Sequence, residues 1–167
     1  LVAFTGSREV GKKILTEAGG HLKRVILELG GKDPMIVLDG ADLEAAADFA
    51  VRNSFRNAGQ VCVSTERIYV EDSIAPKFEE AVLRLTAEQC CGPGTQEGVT
   101  VGPMINARQR NHVIAQVEAA VRDGATISTR TRANLSALAF SLEQLLRLVA
   151  SSDQQQSGSA LESAKRY

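Results

Sequence analysis

The stretch that most restricts how this chain can fold is a pair of short apolar runs hinged on glycine. Residues 24–29 (Arg-Val-Ile-Leu-Glu-Leu) and 35–39 (Met-Ile-Val-Leu-Asp) flank Gly30-Gly31-Lys32-Asp33-Pro34. The two runs read as strands joined by a turn. Glu28 therefore stands at the end of a strand beside a glycine turn, a place where α/β domains commonly carry catalytic side chains; a solvated strand-end acid is the plain alternative. Gly30-Gly31 has no side chain to keep a second backbone or a cofactor away.

Around this pair, strands and helices alternate. Residues 1–5 read as a buried strand, and Gly6-Ser7-Arg8-Glu9-Val10-Gly11 turns into a helix through about Ala18, capped by Ser7. A helix N-terminus behind a glycine turn offers free backbone N–H groups and a positive dipole end, as a pyrophosphate requires. Gly6, Gly11 and Lys12 almost spell a P-loop. Lys13 breaks it, because that position needs a hydroxyl for magnesium. A βα turn with helpful glycines accounts for the stretch equally well.

Asp42 caps a predicted helix from Leu43 to about Asn57, with Leu43, Ala46, Ala47, Ala50 and Val51 at helical spacing, and Gly59 stops it. Cys62 follows on a loop before a strand at residues 67–70. Once its thiolate is favoured, cysteine is the strongest ordinary nucleophile near neutral pH, although a cysteine between two valines can equally be an inert small hydrophobe. Glu28 and Cys62 are the best candidate base and nucleophile, and only folding could bring them together. A further helix over residues 73–89 takes Pro76 in its first turn and places Phe78, Ala81, Val82 and Leu85 on one face. A last one, capped by Asn106 and ended by Gly124, carries Val113, Val117, Ala120 and Val121. The pattern is an α/β fold built of parallel-type βα units.

Composition narrows the partners. The formal net charge is −1 and the pI about 6.2, so neither a nucleic-acid nor a membrane partner is expected. Cys62, Cys90 and Cys91 lack the spacing of a zinc site or disulfide framework, which suits a reducing, cytoplasmic compartment. His21 and His112 have no ligand cluster beside them, so no metal is expected. The chain opens Leu1-Val2-Ala3-Phe4 without a methionine and is expected to be a piece of something longer, which leaves organelle targeting open.

Taken together, Phe4-Thr5-Gly6-Ser7 with Val10-Gly11, Glu28-Leu29-Gly30-Gly31-Lys32 with Pro34, Gly59-Gln60-Val61-Cys62, and Glu66-Arg67-Ile68-Tyr69-Val70 resemble the aldehyde dehydrogenase superfamily in order and spacing. The likeness continues through Val101-Gly102-Pro103-Met104-Ile105-Asn106 to Gly124. It implies oxidation of a small-molecule aldehyde to a carboxylic acid with NAD or NADP. Cys62 would attack the aldehyde carbon, and the thiohemiacetal would lose hydride to become a thioester. Glu28 would activate the hydrolytic water. Gly6, Ser7 and Gly11 match the turn facing the cofactor's pyrophosphate, and Leu29 matches the residue whose backbone lies by the nicotinamide. Full-length relatives would be homo-oligomers.

The same resemblance shows what is missing. The family's oxyanion asparagine comes from a Pro-Trp-Asn type motif, and this chain contains no tryptophan. The ribose-recognising stretch and most of the dinucleotide-binding sheet are likewise absent. Residues 1–30 are expected to be the C-terminal end of the cofactor domain, and residues 31–127 part of the catalytic domain. Residues 128–167 are expected to be a tail foreign to the family, helical along Leu135, Leu138, Leu142, Leu145 and Val149, then disordered. The abrupt change after Ile127 suits a frameshift or mis-spliced product. Two other readings stand beside the enzyme: a non-catalytic truncated subunit or binding partner, and a thioesterase using only Cys62 and Glu28.

Overall fold

The computed structural model describes residues 1–128. The expectations for the leucine stripe and the polar tail lie outside these residues. Among the described residues two successive strand–helix–strand units are followed by two further helices.

In the first unit β1 (Val2–Gly6) pairs in parallel with β2 (Val25–Leu29), and α1 (Arg8–Gly20) connects them. Ser7 caps α1 as expected, its Oγ accepting from the Val10 N–H at 3.4 Å. The packing is thin. Only Gly11 and Ala18 are buried in α1, and Gly11 is fixed by its neighbour: a Cβ there would lie 2.8 Å from a Leu29 methyl. The side chain ending β2 thus occupies the space that a larger residue at 11 would need.

The second unit holds the core. β3 (Asp33–Val37) and β4 (Thr65–Val70) pair in parallel across α2 (Leu43–Phe55), and α3 (Ala75–Ala87) packs on α2. Ala47, Ala50 and Val51 of α2 meet Phe78, Ala81 and Val82 of α3 beneath Val37 and Ile68. The alanines let the two helices approach closely, and the large side chains fill the gap between helix and sheet. Asp42 accepts from the Ala45 N–H, and Pro76 sits in the first turn of α3, where its missing N–H would have had no intrahelical partner. The last helix, α4 (Ala107–Arg122), is capped by Asn106 and followed by Gly124 at φ +98°. Val113 and Val117 are buried, whereas Val121 is exposed, so the apolar stripe on α4 is shorter than its spacing predicts.

Two boundaries differ from expectation in ways that matter for the site. Asp33 and Pro34 carry turn chemistry, yet they open β3. Pro34 is tolerated next to a register irregularity at Asp33/Pro34, where the missing N–H breaks no regular ladder. α2 ends at Phe55, not near Asn57. Asn57 (φ 52°, ψ 36°), Ala58 (φ 56°, ψ 36°) and Gly59 (φ 73°) then follow one another in the left-handed region. Among the described residues no helix is long and apolar enough to cross a membrane.

Candidate active site

Parallel pairing puts the segments entering β3 and β4 at the same end of the sheet. Gly30–Lys32 leads into β3 and Cys62–Ser64 leads into β4. Their backbones touch: a Cβ on Gly31 would lie 3.1 Å from the Cys62 carbonyl oxygen and 2.7 Å from Asp33 Oδ2. Gly30, by contrast, has open space around it. Of the two glycines that the sequence marks for close approach, the second is the one that makes it. Two further ties hold the same segments together. Lys32 Nζ pairs with Glu66 Oε2 at 2.8 Å, and Arg67 Nε donates to the Lys32 carbonyl at 2.8 Å.

Cys62 itself is exposed on the loop and is not packed as a core side chain among the described residues. The loop closes through short bonds around it. The Val61 N–H donates to the Gly59 carbonyl at 2.9 Å, and the Ser64 N–H to the Val61 carbonyl at 3.1 Å. Among the described residues the backbone N–H groups of Cys62 and Val63 make no hydrogen bond. Two donors thus stand beside the thiol, where charge would appear on a carbonyl oxygen under attack.

Several residues that the sequence reading did not single out build this loop. Asn53 Nδ2 donates to Thr65 Oγ1 at 2.8 Å and to the Val63 carbonyl at 3.3 Å; the buried Ser54 Oγ donates to the Thr65 carbonyl at 2.9 Å. The Gln60 amide is doubly engaged, its Nε2 donating to the Asn57 carbonyl and its Oε1 accepting from the Ile105 N–H. The available signal was polar Asn53, Ser54 and Asn57 closing a helix whose inner face is otherwise alanine, valine and phenylalanine.

Glu28 is exposed in β2, three residues before the Gly31 contact, and its side chain makes no hydrogen bond or ion pair among the described residues. The structure therefore brings the turn after Glu28 to the Cys62 loop, while the carboxylate itself is free. Gly6, Ser7, Gly11 and Leu29 gather in the first unit, Gly11 against Leu29. The β1–α1 turn at Gly6, Ser7 and Gly11 has the helix N-terminus that a pyrophosphate would require, while Leu29, expected beside the nicotinamide, packs on Gly11. Ser7 leaves first-turn N–H groups of α1 unpaired, and Arg8 and Lys12 add positive charge. Glu9 opposes it, held below the usual carboxylate range by its hydrogen bond from Arg8 and by the nearby Lys12 charge. Cys91 is half-buried and its thiol is pushed up by burial, then by Cys90, so it is the poorer nucleophile. Among the described residues no group of three or more His, Cys, Asp or Glu could hold a metal.

Comparison with known proteins identifies the family. The aldehyde dehydrogenase family model matches residues 1–140, running past Ile127, where the resemblance was expected to end. The glutarate-semialdehyde dehydrogenase of Pseudomonas putida is 40% identical over 126 residues, 75% of this chain and 26% of that protein. The NADP-dependent succinate-semialdehyde dehydrogenase of Escherichia coli is 38% identical over 126 residues, again 75% of this chain and 26% of the relative. The crystal structure of betaine aldehyde dehydrogenase from Staphylococcus aureus in complex with NAD+ superposes with a TM-score of 0.75 at 38% identity, covering 83% of this chain and 28% of that one. The chain thus spans about a quarter of the length of the curated relatives it matches. With its motifs, parallel units and NAD- or NADP-using relatives in agreement, the chain belongs to the aldehyde dehydrogenase family.

Proposed function

We propose that this chain supplies the nucleophile and general base for oxidation of an aldehyde to a carboxylic acid with NAD or NADP. The observation that carries the reading is the contact between Gly31 and the Cys62 carbonyl, which docks the turn after Glu28 onto the loop of an exposed thiol whose own and following backbone N–H groups make no hydrogen bond among the described residues. Cys62 Sγ adds to the aldehyde carbon, and the carbonyl oxygen takes up the negative charge facing the Cys62 N–H. Bound at Gly6, Ser7, Gly11 and Leu29, the dinucleotide would supply the hydride acceptor. Glu28 then takes a proton from water as that water attacks the Cys62 thioester, and the acid leaves with the thiol restored.

Residues outside this chain are needed for turnover. No tryptophan-bearing motif provides a side-chain oxyanion donor, and loss of one such donor lowers turnover by about 10²–10³. The β3–β4 sheet also leaves Ile36 and Tyr69 exposed at 68% and 43%, with Leu38 just past β3 exposed at 63%, which supports the second reading: a truncated subunit, inactive alone. The purified chain is accordingly expected to give no steady NADH from aldehyde and NAD.

A half-reaction tests the site without the missing parts. An activated ester such as p-nitrophenyl acetate should acylate Cys62, identified by mass mapping, and Glu28→Gln should slow release of acetate from that thioester about 10²-fold. Acylation at Cys90 in preference would remove Cys62 from the nucleophile's role. An unchanged release rate in Glu28→Gln would remove Glu28 from the base's.

A further inference from the structure

Three successive left-handed residues, two of them not glycine, precede the nucleophile loop. Each non-glycine residue there costs roughly 1–2 kcal/mol, so something must over-determine the conformation. Asn57 and Gln60 supply a reciprocal clamp. Gln60 Nε2 donates to the Asn57 carbonyl at 2.9 Å, the Gln60 N–H donates to the same oxygen at 3.2 Å, and Asn57 Nδ2 donates back to the Gln60 carbonyl at 3.2 Å. The other end of the Gln60 amide reaches 45 residues along the chain: Oε1 accepts from the Ile105 N–H at 3.0 Å. Because one neighbour is a carbonyl and the other an N–H, only one orientation of the amide satisfies both.

We propose that Gln60 is a positioning residue for Cys62, its side-chain amide bridging the Asn57 carbonyl and the Ile105 N–H so that the loop leaves the left-handed turn in one direction. The next bonds along the chain, from Val61 to Gly59 and from Ser64 to Val61, then hold the Cys62 and Val63 N–H groups beside the thiol. Gln60 acts through the backbone and touches no reacting atom. Its role in catalysis rests on the reading of Cys62 as nucleophile; its role in ordering the loop does not.

The test compares the full chain with Gln60→Leu, which can neither donate nor accept, and Gln60→Glu, which keeps an acceptor for Ile105 and loses the donor to Asn57. Amide exchange is followed at Ile105, Val61 and Ser64, with Val37 and Ile68 reporting the core, and Cys62 alkylation by iodoacetamide is followed against pH with Cys90 as internal standard. In Gln60→Leu, Ile105 should exchange about 3- to 10-fold faster, with Val61 and Ser64 accelerating alongside it. The pH profile of Cys62 alkylation should change with them, because the Cys62 and Val63 N–H groups no longer hold fixed places beside the sulfur. In Gln60→Glu, Ile105 should recover while Val61, Ser64 and the Cys62 profile do not. Acceleration at Ile105 alone, with an unchanged Cys62 profile, would overturn the proposal. If Gln60→Leu also loosens Val37 and Ile68, the Glu variant decides by the same signature. Alkylation of Cys90 before Cys62 in the unaltered chain would instead defeat the nucleophile reading, leaving the exchange data to judge Gln60.

Discussion

The Gly31 contact makes a quantitative prediction, because the neighbouring glycine is its control. An alanine Cβ at position 31 would sit 2.7 Å from Asp33 Oδ2 and 3.1 Å from the Cys62 carbonyl oxygen. The carboxylate can swing away at about 0.5–1.5 kcal/mol for a displaced rotamer. The carbonyl must retreat by a few tenths of an ångström, which places the total in the range of about 1–3 kcal/mol for a mild overpacking. Against this, replacing glycine by alanine lowers unfolded-chain entropy and stabilises by about 0.4–1 kcal/mol where the backbone permits it. Gly31→Ala should therefore destabilise by about 1 kcal/mol. Gly30→Ala, in open space and outside the left-handed region, should stabilise by a few tenths or more. Urea denaturation of both variants measures the difference, and Cys62 alkylation should change rate only in Gly31→Ala. Equal stabilities for the two variants, or a more stable Gly31→Ala with unaltered alkylation, would refute the docking of the turn on the loop.

Other variants test the framework. Ser54→Ala removes a buried donor to the Thr65 carbonyl and should destabilise by about 1–3 kcal/mol in the same urea assay, with faster amide exchange at the start of β4. Among the described residues Thr86 Oγ1 is buried without a partner, so Thr86→Val, which keeps the shape and drops the hydroxyl, should be neutral or more stable; a clear loss of stability would show that the hydroxyl is satisfied. The raised Cys91 thiol gives a pH dependence. Folding disfavours its thiolate, so its contribution to stability is full at neutral pH and is lost as pH rises through the ordinary thiol range toward the folded value. Urea midpoints should fall less steeply above neutral pH in Cys91→Ala than in the unaltered chain; parallel declines would assign the effect elsewhere.

Local signals in the sequence were reliable where the physics is local. Ser7, Asp42 and Asn106 each cap the predicted helix, because a side-chain acceptor satisfies an orphan N–H within three residues. The alternation of strands and helices gave the parallel units, and Cys62 stands on the loop expected for it. Legibility failed where a distant partner decides. Asp33-Pro34 has turn chemistry, but pairing with β4 recruits it into a strand. Nothing near Asn57 and Ala58 announces a left-handed pair, since the clamp that stabilises it depends on Gln60, and the second half of Gln60's role lies at Ile105. The Gly31 contact with Cys62 was foreseeable as glycine permitting close approach, but not which of the two glycines would make it.

With Cys62 read as the nucleophile, the fold should set it apart from the other two thiols. Native alkylation at limiting iodoacetamide, followed by mass mapping, ranks them in one experiment. Cys62 is exposed beside unpaired backbone donors, Cys90 is exposed on a turn whose own N–H is taken by Thr100, and Cys91 is half-buried with its thiol pushed up. The expected order is Cys62 first, then Cys90, with Cys91 last, and the lead of Cys62 should disappear in urea. Labelling of Cys90 or Cys91 ahead of Cys62 under native conditions would contradict the assignment of the nucleophile.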